Sequence, residues 1–141
     1  RRLSEEALEL VEEPFVPTNA LYSALLAGES ARRAGDRPSA RRLLLRAVGL
    51  CQELGQRGVL PELLQEVAAA GAGGIDSVRI LSASQRLVTE LGLPRWDIAD
   101  YKRTVSALRG ELGDAAFEEA WADGAGLQED RALLLAAGCL D

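Results

Sequence analysis

Residues 28–54 read GESARRAGDRPSARRLLLRAVGLCQEL. Within this stretch Ala40, Leu43, Leu44, Ala47, Leu50, Cys51 and Leu54 recur at the 3.6-residue period of an amphipathic helix. Pro38 is tolerated in the first turn of such a helix, Asp36 suits its start, and Gly55 suits its end. Gly35 stands where a preceding helix must stop. That helix is expected from about Asn19 to Ala34, with Leu21, Ala24, Leu25, Gly28 and Ala31 as its apolar stripe. Two helices joined by so short a turn are expected to lie antiparallel.

The same punctuation runs outward in both directions. Upstream, Leu3 to Glu13 reads as a helix with Ser4 as its N-cap, broken by Pro14 and Pro17. Downstream, helices are expected over Val59–Ala70 and, after the turn Gly71–Gly74, as far as Leu91. Asp76 is the expected cap of the latter, and Ile80, Ala83, Leu87, Val88 and Leu91 are its inward residues. Gly92 and Pro94 stop it. Asp97 should cap a sixth helix, in which Ile98, Tyr101, Val105, Leu108 and Leu112 form the clearest amphipathic stripe of the chain. Gly113-Asp114 reads as a stop-and-cap pair. A short helix with Phe117, Ala120 and Trp121 on one side should end at Gly124, and a last helix covers Gln128–Ala137. No run alternates apolar and polar residues at period two, so the expected fold is all-α.

Composition narrows the chemistry. The chain has 141 residues, a length that suits one domain, and a formal net charge of -6. The acidic balance argues against direct nucleic-acid contact. Histidine is absent, which removes the commonest general base and zinc ligand. Two cysteines are too few for a Cys-only zinc site and make a poor disulfide framework, so a reducing, cytoplasmic compartment is expected. No apolar run is long enough for a membrane span. The chain starts at Arg1 and has no methionine, so it is expected to be a fragment of a longer protein. Gly71-Ala-Gly-Gly74 follows no strand and lacks a Lys-Ser/Thr, so it reads as a turn and not a nucleotide loop. Glu118-Glu119 reads as solvated surface, Cys51 as core, and Cys139 as exposed or frayed. No catalytic residue, metal or cofactor is expected in this fragment.

Gly28, Gly35, Ala40 and Ala47 sit at offsets of seven, five and seven. These match the small-residue positions of a tetratricopeptide (TPR) repeat, where small side chains let paired helices approach closely. The plan returns about 38 residues later in looser form. There Gly73 takes the turn place, and Val78, Ser82 and Gln85 lie near the second-helix positions. That interval exceeds the 34 residues of a strict TPR, so the array is degenerate. The stretch Arg79-Ile-Leu-Ser-Ala-Ser-Gln-Arg-Leu-Val-Thr-Glu-Leu-Gly92-Leu-Pro94 resembles the "ARLLGAAEALREALGxP" stretch of a recurrent bacterial family. Tyr101 and Leu108 resemble its "Y...L" helix. Leu112-Gly-Asp-Ala-Ala-Phe117-Glu-Glu-Ala-Trp121-Ala-Asp-Gly124 resembles its "LGEEAFAAAWAEGRALSLEEA" ending. Over residues 20 to 137 the chain is thus similar to the C-terminal TPR-like, maltose-regulator-like helical domains of LuxR-type and SARP-type regulators built around a STAND NTPase. Ser82 replaces the family's usual glycine, and Gly126-Leu-Gln-Glu-Asp130 only approximates its next helix start.

The resemblance implies antiparallel helix pairs stacked as a short right-handed TPR-like solenoid with a C-terminal cap. Residues 1–17 would be a leading helix and linker, 18–57 the best pair, 58–92 a degenerate pair, and 97–137 the capping helices. The implied role is a non-catalytic interaction or signal-sensing module of a bacterial transcriptional regulator. Its partners would be its own NTPase or DNA-binding domains, another protein, a small inducer or a second copy of the chain. The alternative is a general TPR scaffold attached to a cyclase or kinase. In such a pair the first helices line the concave side, which makes Tyr22, Glu29, Arg32, Arg33, Glu62 and Glu66 the candidate groove residues. Residues 29–58 hold seven arginines against three acids, while residues 110–141 hold eight acids against Arg131. The arginines read as a solvated face or as a contact for an acidic neighbour. Phe117 and Trp121, four apart, are expected to plug the end of the array against Tyr101, Val105 and Leu108, under the Gln128–Ala137 helix.

Overall fold

The computed structural model describes residues 19–141, so the helix expected over Leu3–Glu13 lies outside the described residues. The described chain is all-α. Helix α1 spans 19–33, α2 Arg37–Leu54, α3 Leu60–Ala70, α4 Ile75–Leu91, α5 Ile98–Leu112, α6 Asp114–Ala125 and α7 Glu129–Cys139. A short 3-10 turn, Arg57–Val59, leads into α3. No described helix is long and apolar enough to cross a membrane.

The hairpin that decides the fold forms as the sequence predicts. Gly35 takes φ +83°. Its N–H reaches the Arg32 carbonyl and the Asp36 N–H reaches that of Ala31, the paired bonds of a Schellman stop. Asp36 then caps α2 by accepting from the Ser39 N–H at 3.2 Å. Helices α1 and α2 meet at Gly28, where an added Cβ would lie 2.7 Å from Leu44 Cδ2. Ala40 and Ala47 are buried, while Arg42 and Arg46 point to solvent.

One apolar core joins all seven helices, and α4 is its axis. Helix α4 packs most closely on α6 and α3, and then on α7. Two capping expectations are corrected there and at the next junction. The N-cap of α4 is Gly74 and Asp76 sits one turn position inside, where it pairs with Arg79 at 2.9 Å. Gly113 both ends α5 and caps α6, which leaves Asp114 as the first residue of α6. Gly124 does not end α6 but lies buried within it. An added Cβ there would stand 2.3 Å from the Arg79 carbonyl oxygen and 2.7 Å from Ser82 Cβ. Glycine is needed because α4 and α6 cross backbone to backbone at this point. Ser82 fits the crossing by donating its hydroxyl to the Trp121 carbonyl at 2.6 Å.

The C-terminal cap differs from expectation in two ways. Helix α7 packs on α4, α3 and α2, and does not cover Phe117 and Trp121. Its contact with α2 reaches back across the described chain, which neighbour-only stacking would not do. Cys139 is held half-buried at the end of α7, with its backbone against Gly71 and its Sγ accepting from Ser77 Oγ at 3.9 Å. The α5 stripe is also turned. The buried face of α5 is Asp100, Thr104 and Leu108, while Ile98 is 55% exposed and Tyr101 and Val105 are only half-buried. Periodicity located an amphipathic helix correctly, but it missed that a polar face would be drawn inward by charged partners.

Candidate functional site

Those partners are arginines of α1. The Arg32 guanidinium grips Glu66 of α3 with two bonds, at 2.9 and 3.2 Å, and Asp100 of α5 at 2.6 Å. Arg103 closes the other oxygen of Asp100 at 3.2 Å. Arg33 joins Glu29, at 3.1 Å, to Asp97 at the start of α5. Asp97 also caps α5 by accepting from the Asp100 N–H at 3.0 Å, and it holds φ +38°, a left-handed conformation that few residues other than glycine adopt. Glu66 and Asp100 are almost fully buried, so these pairs are desolvated ties and not surface decoration.

Of the six groove candidates, the structure brings five together: Glu29, Arg32, Arg33, Glu62 and Glu66. Tyr22 stands apart from the network, 44% exposed on α1. Asp97 caps α5 as the sequence predicts, but its tie to Arg33 and the burial of Asp100 against Arg32 carry no signal in the sequence pattern. Arg32 and Glu66 are 34 positions apart, and Arg32 and Asp100 are 68 apart. Helices α2 and α4, by contrast, start 38 apart, at Arg37 and Ile75. The 34-residue spacing is not a repeat period, because Arg32 lies at the end of α1, Glu66 in the middle of α3 and Asp100 in the first turn of α5.

Electrostatics follow the geometry. Burial works against the Arg32 cation, but Glu66 and Asp100 outweigh it and raise its pKa further. Burial raises Glu66 despite the opposing pull of Arg32. Glu62 has no cation partner among the described residues. Burial first, and then the nearby Glu29 and Glu66 charges, push it up to about 7. Asp97 is lowered by the Asp100 N–H and by Arg33.

A second polar cluster continues the network inward. Gln65, fully buried on α3, donates to the Asp97 carbonyl at 3.3 Å and accepts from Arg95 at 2.9 Å. Arg95 also donates to Ser84 Oγ and Gln85, and lies 4.0 Å above the Tyr101 ring. Together the two clusters tie α1, α3, the α4–α5 loop and α5. Beyond Asp100 a polar cleft of about 380 Å³ opens between Arg37, Arg103, Gly73 and Glu111.

Three HTH-type transcriptional regulators of mycobacteria are similar to this chain: one from Mycobacterium bovis and two from Mycobacterium tuberculosis strains, CDC 1551 and H37Rv. Each is 38% identical over 77 residues, covering 53% of this chain and 9% of the relative. The matched stretch is thus about half of this chain and a small part of each regulator. No protein-family model matches, and no solved structure matches.

The charge asymmetry is partly spent inside the molecule. Arg57 bonds Glu129 across the α3 and α7 starts, with distances of 2.9 and 2.8 Å. On α2, Arg37, Arg42 and Arg46 are exposed, and none of them pairs with an acid among the described residues. Glu118 and Glu119 are exposed as expected, and Cys51 is buried with its thiol pushed up to about 11, chiefly by burial. No group of three or more His, Cys, Asp or Glu among the described residues could hold a metal.

Proposed function

We propose that this chain is a non-catalytic, TPR-like interaction and signal-sensing module within a cytoplasmic bacterial transcriptional regulator, of the LuxR or SARP type with a STAND NTPase. The observation that carries this reading is the meeting of Arg32, Glu66 and Asp100. They come from α1, α3 and α5, every second helix of the described chain, and converge on one guanidinium. Repeat-equivalent helices α1, α3 and α5 would then line one side of the array. The similarity to mycobacterial HTH-type regulators supports the setting. In mechanism, the module would hold a partner protein, a small inducer or its own regulator's other domains, and so bias a switch made elsewhere.

The test is the reading frame around this chain. A Walker motif and a helix-turn-helix in the same polypeptide are the expected result. A cyclase or kinase domain in their place would favour a general TPR scaffold and overturn the regulator reading. Purified protein should turn over neither nucleoside triphosphates nor esters, and any turnover that follows the protein through purification would refute a non-catalytic role.

A further inference from the structure

We propose that the groove between α5 and α6 binds a small planar aromatic anion, with its ring against Trp121 and Tyr101 and its charge on Lys102. This goes beyond the regulator reading and does not depend on it. The groove holds about 380 Å³, within the range of small-ligand pockets, which run from about 300 Å³ upward. Tyr101 and Val105 line it from α5, and Phe117 and Trp121 from α6. The Phe117 and Trp121 rings are stacked, with centroids 5.6 Å apart. The groove is open because α7 packs on α2, α3 and α4 instead of over these rings.

The sign of the ligand follows from its rim. Arg109 lies over the Phe117 ring at 4.3 Å, and is already engaged by Asp114 at 3.2 Å and Glu118 at 2.9 Å. Glu118, the one carboxylate lining the groove, is held by Arg109 at the rim and shares that cation with Asp114. Lys102 remains, exposed and without an acid partner among the described residues; it is the chain's single lysine beside fifteen arginines. An apolar wall with two ring systems and one uncommitted cation suits an aromatic ring bearing a carboxylate or sulfonate.

The probe is 1-anilinonaphthalene-8-sulfonate, followed by its own fluorescence and by quenching of Trp121 in a Trp96→Phe background. One site per chain is expected. Lys102→Glu should weaken binding at least about fivefold, since it turns an attractive charge into a repulsive one, and Lys102→Arg should retain it. Ser106→Trp, on the exposed wall of the groove, should abolish it. Uncharged 1-anilinonaphthalene should be indifferent to Lys102→Glu. Parental affinity in either Lys102→Glu or Ser106→Trp overturns the proposal. So does loss of binding in Leu134→Asp, which would place the probe in the cavity between α2 and α7.

Discussion

Two regions of the described chain, around α1 and around α6, are held by opposite chemistry. Around α1, guanidinium–carboxylate ties reach α3 and α5 with almost no solvent around the acids. Around α6, a glycine and a serine let α6 lie directly on α4, and two stacked rings face an open groove. The difference shows how an amphipathic stripe can mislead. On α5 Tyr101 and Val105 face the groove while Asp100 and Thr104 turn inward beside Leu108, because Arg32 and Arg103 supply the charge that makes burying Asp100 tolerable. The stripe reports that a helix has two faces, and its partners decide which one is buried.

The comparison breaks most sharply at Arg32. Arg32→Ala leaves Glu66 and Asp100 buried with less compensation, and should cost about 3–5 kcal/mol. The triple variant Arg32→Met/Glu66→Leu/Asp100→Asn should recover much of that loss, since neither acid is then left buried without its counter-charge. Chemical denaturation of both proteins reads the difference. If Arg32→Ala unfolds like the parent, the α1 region is not held by this tie.

In the other region, Gly124→Ala puts a methyl against the Arg79 carbonyl at a distance that backbone cannot yield without moving α4 from α6. A loss near the top of the overpacking range, about 3 kcal/mol, is expected in thermal unfolding. A parental melting temperature would mean that the crossing is looser than the structure shows.

The aromatic pair sharpens the contrast within α6. Phe117 is 2% exposed, whereas Trp121 is half-buried. Truncation of Phe117 to Ala should therefore cost about 3 kcal/mol, and Trp121→Ala about half of that, below the cost of a fully buried tryptophan. Equal losses by calorimetry would mean that Trp121 is as much a core residue as Phe117.

Much of the architecture was legible because its signals are local. Gly35, Asp36, Gly55, Gly92 and Asp97 mark helix ends through their own backbone or cap geometry. Gly124 was misread as a terminator because a glycine that ends a helix and one that lets two helices touch look alike in sequence. The place of α7 was not legible, since it depends on which surface of α2, α3 and α4 is left free. Glu29, Arg32, Arg33, Glu62 and Glu66 come together because they sit on facing sides of α1 and α3. The ties of Arg33 to Asp97 and of Arg32 to Asp100 were not legible, because they depend on how α5 turns against α1 and α3, which no local signal fixes.

The smallest effect tests the charge balance inside the α1 network. Glu62 has its pKa raised to about 7 by burial and by Glu29 and Glu66, against about 4.3 in an unfolded chain. Between those values the folded state keeps a proton that the unfolded state has released. Stability from this group is therefore greatest below about pH 4, falls as pH rises, and reaches its lowest level above about pH 7. Because Glu62 is only partly buried, solvent screening reduces the effect to about 1 kcal/mol. Glu62→Gln should thus stabilise the protein by about that amount at pH 8, and make little difference at pH 4.5. The measurement is urea unfolding of parent and variant at both values. A variant no more stable than the parent at pH 8 would show that Glu62 ionises freely, and that the α1 network tolerates an unpaired acid at no cost.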